Sequence, residues 1–161
     1  MGLSASHMGI ISPGGDIMKV SDIMSGRVVT IDKREPVIAA ARLLKRMNLG
    51  ALPVTDGGKL AGMLTDRDIV LRCVASGGDA REMTVEDIMT RGVVTASPDA
   101  KVGDAARRMG RGQVRRLPVV DGDRIVGMVS LADMARKCDM EAAAALADIS
   151  SNLRRLSTDD I

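Results

Sequence analysis

The chain has 161 residues, 45% of them hydrophobic and 27% charged, with 12 Met and no Phe, Tyr or Trp. That length fits one compact domain, or two small ones packed as a unit, with a core of Val, Ile, Leu, Met and Ala in which Met fills gaps that aromatic rings fill elsewhere. A net charge of +2 is too small to indicate DNA binding by itself, and a chain without aromatic rings has no platform for stacking single-stranded bases, so the composition argues against nucleic acid as a partner.

The charge is uneven. Residues 18–138 carry 21 basic and 15 acidic groups, and residues from 139 onward carry 2 and 5. A mildly basic body with an acidic tail suits an anionic small ligand, and it equally suits a solvated surface. Cys73 and Cys138 are isolated and the only histidine is His7, so no metal site is expected and a reduced, cytoplasmic setting is the simplest reading. No apolar run approaches about 18 residues, the length a membrane-spanning helix requires. Residues 1–17 lack the basic region and apolar core of a signal peptide; with Ser-His-Met at 6–8 region's edge they read as a tag or disordered leader outside the fold.

In chain order, Val28–Ile31 is a short β-branched run, hence a strand. Glu35-Pro36 opens a helix, with Val37, Ala40, Ala41, Leu44 and Met47 on one face. Ala51–Thr55 is a second strand, Asp56-Gly57 a hairpin turn, and Leu60–Leu64 the returning strand. Thr65-Asp66-Arg67-Asp68 starts a second helix, expected to run to about Ser76 and stop at Gly77-Gly78. The order is β-α-β-β-α. It recurs through Val93–Ala96, Lys101–Gln113, Arg116–Val120, Arg124–Val129 and Leu131–Cys138, because the chain matches itself at an offset of 65 residues. Val20, Asp22, Ile23 and Met24 meet Val85, Asp87, Ile88 and Met89; Leu52-Pro53-Val54 meets Leu117-Pro118-Val119; Gly62-Met63 meets Gly127-Met128; and Asp68 meets Asp133. Met24 and Met89 are expected as core plugs. The tail over 139–156, Ala-rich with Met140, Ile149 and Leu153, reads as an amphipathic helix that covers its own module or a dimer interface, and the last residues as frayed.

This order resembles the CBS (cystathionine-β-synthase-type) motif family, with D-I-M near the start of each copy, L-P-V before the hairpin and G-h-h-[ST]-x-x-D after it (h, any apolar residue). The resemblance covers residues 18–138. Two copies in tandem, 18–82 and 83–138, look like one Bateman module, and T-D-R-D in the first with R-R-L-P-V in the second is similar to stand-alone bacterial CBS-domain proteins. The resemblance implies an α+β fold in which the two motifs pack sheet to sheet about a pseudo-two-fold axis, with two clefts between them and a homodimer of modules. It implies a regulatory module with no required cofactor, sensing an adenosine-containing nucleotide, AMP, ADP or ATP in preference to S-adenosylmethionine or NAD. Occupancy would pass by conformational change to an unidentified protein partner. The alternative is a ligand-free, dimeric protein-interaction module.

Thr65 and Ser130 end strands and start helices, where free N–H groups and a partial positive charge suit phosphate. Asp68 and Asp133 lie one turn further on. Ser/Thr-x-x-Asp is also a variant capping box, needed only to start a helix. In the resembled family the aspartate holds ribose hydroxyls and the hydroxyl residue approaches phosphate, and these roles carry over to Asp68 and Asp133 and to Thr65 and Ser130. The same resemblance places Thr30 and Thr95 in adenine pockets, beside the plainer reading of a β-favouring Thr. Arg67, Arg115 and Arg116 differ between the copies and predict two unequal clefts: a guanidinium can chelate phosphate, or these arginines pair at the surface with Asp66, Asp121 or Asp123. With no histidine in the body there is no Ser-His or Cys-His pair, and no phosphate-binding G-x-x-x-x-G-K-[ST] loop, so catalysis is not expected.

Overall fold

The structure, a computed structural model, describes residues 17–137 and 147–148. The expected leader and the expected C-terminal helix and tail lie outside the described residues, apart from Ile17, Ala147 and Asp148. The fold is mixed α+β, in two compact units. One holds Arg27–Val93 with Gly122–Ile125; the other holds the described residues up to Gly26, Val94–Asp121 and those from Val126 onward.

In the unit built on the first repeat, β1 (Ile31–Asp32) precedes α1 (Val37–Met47), and β2 (Ala51–Asp56) and β3 (Lys59–Thr65) form a hairpin. The sheet order is β1-β2-β3, with β1 parallel and β3 antiparallel to β2. Gly57 and Gly58 close the hairpin at φ +57° and +83°, the region the turn requires. β1 is shorter than the expected strand. It pairs only at Ile31↔Val54 and Asp32↔Thr55, and continuing that register backward sets Thr30 opposite Pro53, which has no N–H for the ladder. The same proline recurs in the second repeat, where Ala96↔Val119 is an isolated parallel bridge rather than a strand.

After β3 comes α2 (Asp66–Asp68), which widens at once into π-helical turns over Ile69–Val74 instead of the regular helix expected to Ser76. The backbone bonds Ala75 N–H to Val70 O (2.8 Å) and Gly78 N–H to Cys73 O (2.8 Å) are the i to i+5 bonds of that wider turn. Cys73 is buried, while Val70, Leu71 and Val74 are 55, 51 and 64% exposed. The second repeat forms α4 (Val102–Gly112), β4 (Arg116–Asp121), β5 (Arg124–Ser130) and α5 (Leu131–Lys137). Both long helices end on a left-handed residue, Asn48 at φ 51° and Gln113 at φ 53°, and neither is glycine.

Each unit borrows the leading segment of the other repeat. α3 (Val85–Ile88), which opens repeat two, lies with the first repeat's core: Val85, Ile88 and Met89 cluster with Val37, Leu44, Leu52, Val54 and Leu64. The turn at Val20–Asp22, which opens repeat one, lies with the second: Met18, Val20 and Ile23 cluster with Val102, Met109, Leu117 and Val129. The docking bonds are equivalent. Val85 N–H donates to Glu35 O and Val20 N–H to Ala100 O, both at 2.8 Å; Val37 N–H donates to Met83 O at 2.9 Å and Val102 N–H to Met18 O at 3.1 Å. Thr90 and Met63 exchange backbone bonds of 2.8 and 2.9 Å, as do Ser25 and Met128. Met89 is buried and Met24 is partly buried against the core, as plugs. Among the described residues no helix is long and apolar enough to cross a membrane.

These contacts fix what Gly62 and Gly127 can tolerate. A Cβ on Gly62 would lie 2.6 Å from Met89 Sδ and 2.8 Å from Thr90 O; on Gly127 it would lie 2.6 Å from Met24 Sδ and 3.0 Å from Ser25 O. The flexible thioethers can move, but the carbonyls are held by the bridges. Gly62→Ala should therefore cost about 1–3 kcal/mol by urea unfolding, whereas Gly26→Ala, with nothing within 4 Å, should not pay that overpacking cost. Equal stabilities would show that the bridge yields freely.

The start of α3 carries a pH-dependent contact. Thr84 N–H and Oγ1 both donate to Asp87 Oδ2 at 2.8 Å, and these bonds hold the Asp87 carboxyl below the usual carboxylate range. A carboxyl depressed in the folded state stabilises fully above its unfolded pKa and loses that contribution as pH falls through the folded one. Asp87→Asn should accordingly lower the unfolding midpoint at neutral pH, with the gap to the parent closing below roughly pH 4. A gap that persists unchanged through and below that range would rule out the ionised carboxylate as the source.

Candidate functional site

The signature G-x-x-[ST]-x-x-D builds the same local structure twice. In the first unit Thr65 ends β3 in extended backbone (φ −115°, ψ 162°) and caps α2. Its Oγ1 accepts from Asp68 N–H at 3.1 Å, while Asp68 Oδ2 accepts from Thr65 N–H at 2.9 Å and from its hydroxyl at 2.8 Å. In the other unit Ser130 caps α5: its Oγ accepts from Asp133 N–H at 3.2 Å, and Asp133 Oδ2 accepts from Ser130 N–H at 2.8 Å and Ser130 Oγ at 2.6 Å. Both are complete capping boxes. The carboxylates are 15 and 17% exposed.

One oxygen of each aspartate is thus committed to its own helix, and the other faces a guanidinium. Arg72 lies 3.5 Å from Asp68 Oδ1, and Arg136 pairs with Asp133 Oδ1. Arg72 also donates to Ile88 O at 2.8 Å and to Thr90 Oγ1 at 3.2 Å, tying Asp68 to the segment that follows α3. Sequence reasoning passed over Arg72 and Arg136. The signal was their spacing: one helical turn beyond each aspartate, i+4 and i+3, a cation meets the carboxylate.

The remaining predicted residues divide between the units. Arg67 is exposed beside Thr65 and Asp68, and Asp66 N–H donates to Gly50 O at 3.2 Å. At the equivalent place in the other unit Leu131 N–H donates to Arg115 O at 3.0 Å, which sets exposed Arg115 and Arg116 next to the Ser130–Asp133 box. None of Arg67, Arg115 and Arg116 forms an ion pair among the described residues; Asp123, one of the surface partners considered for them, holds Lys59 at 2.8 Å instead. Thr95 offers its carbonyl to Arg108 at 2.9 Å. Thr30 is exposed and lines an open cleft of about 430 Å³ between β1 and α1.

Each signature therefore presents a partly buried carboxylate at a helix start with unpaired guanidinium groups beside it. Such a set can accept from hydroxyl groups and donate to an anion. Among the described residues no three His, Cys, Asp or Glu side chains are grouped as a metal site.

Comparison with known proteins places these features in a family. The model of the CBS domain matches twice, over residues 20–74 and 85–139. The CBS domain-containing protein YhcV of Bacillus subtilis is 41% identical over 133 residues, covering 81% of this chain and 94% of that protein. The crystal structure of Hypoxic Response Protein I with two coordinated zinc ions is similar at a TM-score of 0.69 and 36% identity, over 74% of this chain and 98% of that one. The CBS domain pair of protein MJ0100, solved in complex with 5′-methylthioadenosine and S-adenosyl-L-methionine, gives a TM-score of 0.67 at 36% identity, over 74% of this chain and 94% of that one. With two family matches that together span most of the chain, and the same helix-start box in each, this protein belongs to the CBS domain family as a tandem pair.

Proposed function

We propose that the chain is a regulatory module that binds an adenosine-containing nucleotide, AMP, ADP or ATP, and passes its occupancy to a partner protein. The observation that carries this reading is the doubled box. Asp68 and Asp133 occupy equivalent helix starts, each with one oxygen spent on the cap and the other meeting only a partly exposed, displaceable guanidinium. Ribose hydroxyls would take the place of Arg72 or Arg136 on that second oxygen. Thr65 and Ser130 would approach phosphate at the helix start, with Arg67 near one and Arg115 and Arg116 near the other. Thr30 and Thr95 would line the adenine pockets. The adenosyl ligands of the MJ0100 pair support the ligand class. The module works in the cytoplasm, and its reading requires no catalytic group.

A second copy of the chain is the first partner. Val70, Leu71 and Val74 stand exposed on the π-helical turns, and Met47 and Leu49 are 46 and 39% exposed at the end of α1. Removing such apolar side chains from water drives association at about 25 cal/mol per Å² of buried area. Val70→Glu with Val74→Glu should shift the sedimentation coefficient from dimer to monomer without lowering helix content; an unchanged coefficient would move the interface elsewhere.

Thermal unfolding against AMP, ADP, ATP, NAD, S-adenosylmethionine and GTP tests the ligand. A ligand at 100 times its dissociation constant adds about 2.7 kcal/mol. Because both aspartates also cap helices, the informative variant is Asp68→Asn with Asp133→Asn, in which the amide oxygen still accepts from the cap. That variant should keep most of its stability and lose the shift given by adenosine nucleotides. No shift with any compound at millimolar concentration would favour the other reading, a ligand-free dimeric interaction module, since the capping boxes then account for both aspartates.

A further inference from the structure

The cleft beside Thr30 lies among residues that the signature does not use. Its walls are β1 and the face of α1 that carries Arg42 and Arg46, with Leu43 between them in sequence and Asp32 and Glu35 also in the lining. Arg42 and Arg46 are one turn apart, exposed, and without an ion pair among the described residues. Arg46, in the last turn, also meets the negative end of the helix dipole, but Arg42 lies mid-helix and has no such role. The carboxylates do not cancel this pair. Asp32 is already occupied by Arg34, whose N–H, Nε and Nη2 donate to it at 3.0, 2.9 and 3.3 Å. Glu35 lies before the start of α1 and forms no ion pair with Arg42 or Arg46 among the described residues.

The second repeat supplies an internal comparison. It keeps both cations, as Arg107 and Arg111, loses the carboxylates of Asp32 and Glu35 to Ser97 and Ala100, and changes the two positions that flank the cations on the helix. Ala39 becomes Asp104, which pairs with Arg107 and neutralises it. Leu43 becomes Arg108, which reaches across and donates to the carbonyl of Thr95, the counterpart of Thr30. In repeat two one of the two cations is paired and a further side chain lies across the Thr95 carbonyl, whereas in repeat one neither Arg42 nor Arg46 forms an ion pair among the described residues.

We propose that this cleft on the first repeat is a separate anion site, one per chain, in which Arg42 and Arg46 hold the phosphate group of a small ligand. Two guanidinium groups at this spacing can donate to different oxygens of one phosphate or to neighbouring phosphates of a diphosphate, and the Thr30 hydroxyl adds a third donor. Apart from sharing Thr30, the site does not depend on Asp68 or Asp133 holding a ribose.

Calorimetric titration of the full chain with inorganic pyrophosphate tests it. One bound pyrophosphate per chain should depend on Arg42 and Arg46, and it should bind more weakly as salt rises. Arg42→Ala with Arg46→Ala, both at exposed positions, should weaken binding on the order of tenfold or more. Ala39→Asp with Leu43→Arg, which brings in the side chains of repeat two, should weaken it as well, while Asp68→Asn with Asp133→Asn should leave it intact. Titration with ADP then identifies the source of the phosphate: weakening by the arginine variant supports a nucleotide in the cleft, and unchanged ADP binding beside lost pyrophosphate binding supports a smaller phosphate compound. The proposal is overturned if pyrophosphate fails to bind at millimolar concentration, or binds the arginine variant as tightly as the parent. Stabilisation by ADP in the absence of any pyrophosphate binding would remove this cleft and leave the nucleotide reading standing.

Discussion

The backbone bridge of Thr90 to Met63, and its repeat between Ser25 and Met128, is the constraint on which each unit depends. It brings a carbonyl and a methionine onto the middle of β3 or β5, and only a residue without Cβ leaves room there. Once that approach is made, Ile88 and Met89, or Ile23 and Met24, fall into the core beneath. A small α+β layer with a sheet of two or three strands cannot bury its apolar face unaided. The borrowed segment closes that face, and it does so with main-chain hydrogen bonds.

The same strands that receive the bridge deliver the signature. β3 and β5 end on Thr65 and Ser130, and the helix that follows each is started by a carboxylate three residues on. This arrangement gives Asp68 and Asp133 two competing tasks. One oxygen holds the helix start together. The other is satisfied by an arginine at the surface, in a contact weak enough in water to be replaced. In the first unit the same arginine, Arg72, donates to Ile88 O and Thr90 Oγ1, so it joins Asp68 to the segment on which the core of its unit depends.

Duplication gave two equal frames, and a few side chains made them different. Asp104 pairs with Arg107 in repeat two and Arg108 bonds the Thr95 carbonyl, whereas Ala39 and Leu43 of repeat one make no such contact and Arg42 has no ion pair among the described residues. Arg115 and Arg116 stand beside the second box, where the first has Gly50 and Ala51. The positions shared by the repeats carry the bridge glycines and the helix-start aspartates, and the positions that differ set which charges are paired within the chain.

The sequence by itself determined the repeat, the order of elements, the hairpin turns and the helix starts, because these follow from local periodicity, from Gly at positive φ and from Ser/Thr-x-x-Asp capping, all within a few residues. It also pointed to Met24 and Met89 as plugs. Only the tertiary structure decided which backbone approaches Gly62 and Gly127, since nothing in the segment 83–90 says which repeat's core it will enter. The first strand shrank to Ile31–Asp32 because its partner in register is Pro53, a pairing that exists only once β1 lies parallel to β2. The helix after Asp68 widened into π turns where regular spacing predicted an α-helix. And the difference between an unpaired Arg42 and a neutralised Arg107 depends on which side chains face each other across a turn and a strand, a matter of packing that composition and charge count alike leave open.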